Sequence, residues 1–197
     1  MSVDYWKARS AADDFERYWN VQNKASLGKR WSLVESLAGG VRYSSILDMG
    51  CGIGNLITFT TLADARNYLG IDVSSSMIER AKALHPSYRF EVSDLAELDL
   101  ADDYDLVVAH GFLLHQHDLF LKLHDLRVLT KGHLIFDVLV ANEGYSRRSS
   151  LGYWTRVLGD EEYGFMKKDL EEEFTLKEVK FGEWSGHREY YLSCRRI

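Results

Sequence analysis

Three glycines alternate with other residues in the stretch ILDMGCGIGN, Ile46 to Asn55, directly after an apolar run that carries one acid, Asp48. At Gly50, Gly52 and Gly54 the chain can take positive φ and leave room for a ligand against the main chain. A helix that follows such a turn offers the ligand its unpaired N–H groups. The spacing G-x-G-x-G departs from the dinucleotide pattern G-x-G-x-x-G, whose third glycine allows close helix approach to a pyrophosphate. Asp48 would repel a phosphate and suits an ammonium group or the water around one. Asp72 follows roughly twenty residues on, where an acid can accept from both ribose hydroxyls. Asp94 is placed to accept from the exocyclic amine of a base. Singly, Asp48 could cap the turn and Asp94 the short helix after it. Three acids around one pocket favour a cationic, phosphate-free nucleoside.

A second group lies in AHGFLLHQHD, Ala109 to Asp118. A histidine near neutral pKa can take a proton from a hydroxyl or ammonium acceptor, which makes His110 and His115 the catalytic candidates. His115 equally suits packing at the start of the next helix. His117 reads as solvated, and His124 and His133 as structural. The two cysteines, Cys51 and Cys194, have no metal-ligand spacing and suggest no disulfide framework. Cys51 reads as a small residue filling the turn, and no metal set is evident.

Positioning these residues requires a sheet. SSILDM, NYLGID, YRFEVS, YDLVVAH and GHLIFDVLV are short apolar strands, with helices expected from about Asn55, over Ser75–Leu84 and over Asp118–Leu129. Strands buried on both faces and alternating with helices indicate a doubly wound parallel sheet. Residues 4 to 38 read as helical, ended by Gly39 and Gly40. TLKEVKF and REYYLSCRR are close enough in sequence to pair as an antiparallel hairpin after a short acidic helix, MKKDLEEEF.

The chain has 197 residues, 46% of them hydrophobic, enough for one core. Its net charge of −6 disfavours a broad basic face for duplex DNA. No apolar run is long enough to span a bilayer, and the charged, aromatic N-terminus lacks a signal-peptide core, so a cytoplasmic protein is expected.

In series, ILDMGCGIGN, GIDVSSSMIERAKA, VSDLAEL, YDLVVAHGFLLHQHD and LTKGHLIFDV resemble the class I S-adenosylmethionine-dependent methyltransferases, from about Ile46 to Val138. The resemblance implies an α/β, Rossmann-like, doubly wound sheet of seven mostly parallel strands, the last antiparallel, with N-terminal helices. It implies S-adenosyl-L-methionine as cofactor. Gly50, Cys51, Gly52 and Gly54 would form the turn against the methionine part, and Asp48 would orient its amino group. Asp72 would hold the ribose, Val73 and Met77 would flank the adenine, and Asp94 and Leu95 would meet its amine and ring. Ala109 and His110 would run beside the methionine moiety. The turn before the fifth strand, commonly Pro-Gly-Gly in the family, is TKGH here, in a place distant from the cofactor.

A single domain is expected: a helical lid over 1–40, a cofactor-binding core over 41–140, an acceptor-site cap over 141–165, and a C-terminal helix and hairpin over 166–197. Tyr18 of the lid and Tyr145, Arg147, Tyr153 and Trp154 of the cap are the candidates for the acceptor pocket. The expected activity is methyl transfer to an O or N atom of a small molecule, with a homodimer left open. The competing readings are a cofactor-binding module without chemistry, a methyltransferase acting on a protein and, more distantly, a nicotinamide oxidoreductase.

Overall fold

The structure is a computed structural model that describes residues 5–6, 21–64, 66–99, 103–148, 154–184 and 186–197. Of the expected N-terminal lid, residues 1–4 and 7–20 lie outside these residues. Helix α1, Val21–Ala38, ends where Gly39 and Gly40 adopt φ of 75° and 64°. Then come β1 (Ile46–Met49), α2 (Asn55–Phe59), β2 (Tyr68–Asp72), α3 (Ser75–Leu84), β3 (Arg89–Val92) and β4 (Tyr104–Ala109). Helix α4 (Leu119–Val128) leads into β5 (Thr130–Ala141), and β6 (Tyr145–Arg148), β7 (Trp154–Gly159), α5 (Asp160–Leu170), β8 (Phe174–Trp184) and β9 (His187–Arg196) complete the chain. Single 3-10 turns stand at Leu95–Glu97 and Leu113–His115.

The core runs β3-β2-β1-β4-β5, all parallel, with the order reversing between β1 and β4. β9 pairs antiparallel to β5 over His133–Val140 and carries β8 on its far edge. The sheet has nine described strands where seven were expected. The two extra are β6 and β7, in a stretch that reads as irregular. β7 pairs parallel to Leu139–Ala141 of β5. Because β9 occupies the other edge of β5, β7 takes up the edge that β4 leaves when it ends. The expected acidic helix also starts earlier, at Asp160 rather than Met166. Asp160, Glu161 and Glu162 lie in its first turn and Lys167 and Lys168 in its last, the arrangement the helix dipole favours. Glu162 accepts from the Gly159 N–H at 2.9 Å to close the N-terminus.

Strand alternation divides the core. Leu47, Met49, Val107, Phe136 and Val138 pack with α4 and α5 on one face. Ile46, Leu106, Val108, Ile135 and Tyr191 pack on the other with Trp31, Val34 and Leu37 of α1. The same alternation places Asp48, Asp137 and Glu189 on the α1 face. No helix among the described residues is long and apolar enough to cross a membrane.

Candidate cofactor and acceptor site

A cavity of about 450 Å³ opens at the carboxyl ends of the strands, across the β1/β4 reversal, in the range of small-molecule sites. Its β1–β3 end is lined by Gly50, Cys51, Gly52, Asp72, Val73, Met77, Asp94 and Leu95, all expected there. Gly50, Gly52 and Gly54 all have positive φ, but they do different work. A Cβ on Gly54 would fall 2.8 Å from His85, and one on Gly50 would fall 3.2 Å from the Phe112 ring, so both make room for packing. A Cβ on Gly52 meets nothing within 4 Å. Gly52 is the bend that stands open to a ligand.

Asp72, at the end of β2, ties the two loops together. Its Oδ2 accepts from the Gly52 N–H at 3.0 Å and its Oδ1 from the Ser74 N–H at 2.9 Å. Burial raises its pKa, and the N–H groups of Ser74, Gly52 and Val73 oppose the rise. A carboxylate has about four lone-pair sites, so acceptance from a ligand is still open to it. Asp94 combines two roles. It lines the cavity, and its Oδ1 caps the turn at Ala96 N–H, 3.0 Å, while Glu97 returns a bond to the Asp94 N–H at 3.1 Å. Lys122 lies 3.7 Å from the same carboxylate.

Three expected cofactor residues do not line the cavity. Ala109 is buried on the opposite face, and Gly54 packs under His85 and Phe90. Asp48 lies below the turn, 2% exposed, and accepts from the Tyr68 hydroxyl at 2.8 Å. Gly70 opposite it has no side chain, which lets the Tyr68 ring approach. Burial, with Asp72 adding, pushes the Asp48 carboxyl up to about 7 against the Tyr68 bond and the His110 charge. Burial and the charges of Asp48 and Asp72 push the Cys51 thiol well up, so it is an inert wall.

The other end of the cavity is built by α1, the β4 end, β5 and β9. His110 lines it, and its Nδ1 lies 3.2 Å from Asp137 Oδ1. Asp137 also accepts from the Gly111 N–H at 2.6 Å. Burial pushes this carboxyl up, but His110, the Gly111 N–H and Arg30 together hold it below the usual carboxylate range. An ionised carboxylate only accepts, so Nδ1 carries the proton and Nε2 is the basic nitrogen. The Tyr191 hydroxyl lies 3.4 Å from Nδ1 and accepts from Arg30 at 3.3 Å. Arg30 also pairs with Glu189. The Trp31 ring meets the His110 ring edge-on at 4.8 Å. His115 lines the cavity, its ring 4.9 Å from that of Trp6. His133 is structural, buried between the Tyr43 hydroxyl at 2.8 Å and the Ser193 hydroxyl at 2.6 Å.

Two of the expected acceptor-pocket residues do not line this cavity. Tyr145 and Arg147 stand on the edge strand β6, exposed and away from the cavity, with Tyr145 bonded to His187. Tyr18, Tyr153 and the Trp154 side chain lie outside the described part. In their place are Arg30, Trp31, Asp137 and Glu189. Asp137 has a sequence signal, an acid interrupting an apolar strand. Arg30 and Glu189 have none, because their pairing spans 159 residues. Among the described residues no cluster of three metal-ligating side chains occurs.

Comparison with known proteins agrees with this geometry. Residues 46–132 match the family described as a methyltransferase domain. A protein of Invertebrate iridescent virus 6 named as a methyltransferase, 235L, is 35% identical over 66 residues, 33% of this chain and 25% of its own length. The ribosomal protein L11 methyltransferase of Desulfotalea psychrophila is 31% identical over 105 residues, 50% of this chain and 34% of its own. The chain therefore spans only a quarter to a third of these curated relatives. Among solved structures, magnesium protoporphyrin IX methyltransferase from Synechocystis PCC 6803 with bound S-adenosylmethionine superposes with a TM-score of 0.69. It is 21% identical, covering 98% of this chain and 94% of that one, a likeness of fold. Residues 46–132 match a methyltransferase-domain family, and the chain as a whole has the fold of the magnesium protoporphyrin IX methyltransferase structure.

Proposed function

We propose that the chain transfers a methyl group from S-adenosylmethionine to an O or N atom of a small molecule. The observation that carries the reading is one continuous cavity. It runs from the open bend at Gly52 to a histidine whose proton position is set by a carboxylate. The donor set suits the cofactor. Asp72 and Asp94 accept hydrogen bonds, Val73, Met77 and Leu95 offer apolar walls to a base, and the β1–β3 end has no lining cation to hold a pyrophosphate. When bound, S-adenosylmethionine supplies an electrophilic methyl on its sulfonium. The protein's own contribution is to hold the acceptor in line, exclude water and remove a proton. His110 does the last through Nε2, with Asp137 stabilising the imidazolium and fixing the ring. His115, on the same wall, is the second candidate for contact with the acceptor.

Incubating the chain with S-adenosylmethionine and a library of hydroxyl and amine metabolites tests this. Formation of S-adenosylhomocysteine that depends on one acceptor is expected. Cofactor binding with no turnover across the library would favour a module without chemistry.

A further inference from the structure

The acceptor end of the cavity contains two buried polar atoms that no group among the described residues satisfies. Glu189 lines the cavity with its side chain only 3% exposed. Its Oε1 is held by Arg30, and its Oε2 has no partner. Trp31 lines the same wall, 4% exposed, and its indole Nε1 is likewise buried without a partner. A buried polar atom left unpaired is costly and uncommon in a folded protein. Here one such atom can only accept and the other can only donate. Strand alternation puts both on the same side of the sheet. Glu189 and Tyr191 lie on the β9 face that packs against α1, where Arg30 and Trp31 sit in adjacent positions.

Charge narrows the ligand further. Arg30 is the only lysine or arginine among the described cavity walls, and its guanidinium is committed to Glu189 and Tyr191. Asp137 adds a second carboxylate at this end. An incoming carboxylate or phosphate would face two like charges with no uncommitted cation. Leu27, Phe112 and Leu139 add apolar lining.

We infer that Glu189 and Trp31 form the acceptor-recognition subsite, selecting an uncharged group that both donates and accepts a hydrogen bond, a hydroxyl or a carboxamide, and rejecting carboxylates. The inference rests on the methyl-transfer reading only for calling this end of the cavity the acceptor end. Glu189 takes the donated hydrogen, Trp31 gives one, and Arg30 holds the Glu189 carboxylate in place.

The test uses the full chain, with and without S-adenosylhomocysteine, and the matched probes benzamide, phenol and benzoate at millimolar concentration. Binding is read by ligand-observed nuclear magnetic resonance. The wild type is expected to bind benzamide and phenol about tenfold or more tightly than benzoate, since one unsatisfied charged contact is worth at least that ratio. Glu189→Gln removes one of the two like charges at this end and is expected to shift the preference toward benzoate. Trp31→Phe removes only the donor and is expected to weaken benzamide several-fold. Calorimetry with S-adenosylhomocysteine shows that each variant is folded. Three results would overturn the inference: benzoate binding the wild type as well as benzamide, no probe binding at all, or folded variants with an unchanged preference. The stated preference in a chain that binds no S-adenosylhomocysteine would instead refute methyl transfer and leave the subsite standing.

Discussion

Replacing Asp48 by asparagine should make the protein more stable at alkaline pH than the wild type, and the gain should vanish in acid. Asp48 is 2% exposed and touches one hydroxyl, that of Tyr68. Burial is the main reason its carboxyl rises from 3.8 to about 7. A carboxyl raised in the folded state stabilises fully below its unfolded pKa, and that contribution is lost as pH rises through the folded value. Three pH units at about 1.4 kcal/mol each make this roughly 4 kcal/mol between about pH 4 and pH 8. Asparagine cannot ionise, and its carbonyl still accepts from Tyr68. His133 acts in the opposite sense. Burial, with Arg195 adding, lowers its pKa from 6.5 to about 4, so stability is lost as pH falls through that interval. The two partly cancel in the wild-type curve, and the informative quantity is the variant-minus-wild-type difference. Urea unfolding across this pH range should show the difference growing by several kcal/mol. A difference that stays constant with pH would refute the buried, strained acid.

Other substitutions separate the remaining claims. His133→Gln keeps partners for Tyr43 and Ser193 but cannot charge, so its stability should fall less than the wild type's between about pH 6.5 and pH 4, as measured by thermal melts. Asp72→Asn should weaken S-adenosylhomocysteine binding roughly 10- to 100-fold by calorimetry, the value of one to two charge-assisted hydrogen bonds. Asp137→Asn leaves volume unchanged but loses the charge that sets the His110 tautomer. Turnover should drop by about 100-fold or more, with cofactor affinity nearly unaffected and a changed pH–rate profile.

The β1–β3 end of the cavity was legible because its parts are local. A glycine turn after an apolar strand, and an acid at the next two strand ends, follow from backbone geometry that the sequence encodes within a few residues. The burial of Asp48 was not legible, because strand alternation turns it onto the α1 face toward Tyr68. The other end was hidden because it is assembled from α1, β4, β5 and β9, whose contacts span most of the chain. The β6–β7 hairpin escaped notice for a related reason. Its strands are short and charged, and β7 is held by pairing with the end of β5 rather than by its own apolar pattern.

The central claim is that this cavity takes a sulfur nucleoside and no diphosphate. Calorimetric titration of the chain with S-adenosylhomocysteine and, separately, with NADH tests it directly. Saturable binding of S-adenosylhomocysteine at one site per chain, lost when Gly52 is changed to valine, with no heat from NADH, is the predicted result. Binding of NADH, or of neither ligand, would contradict it.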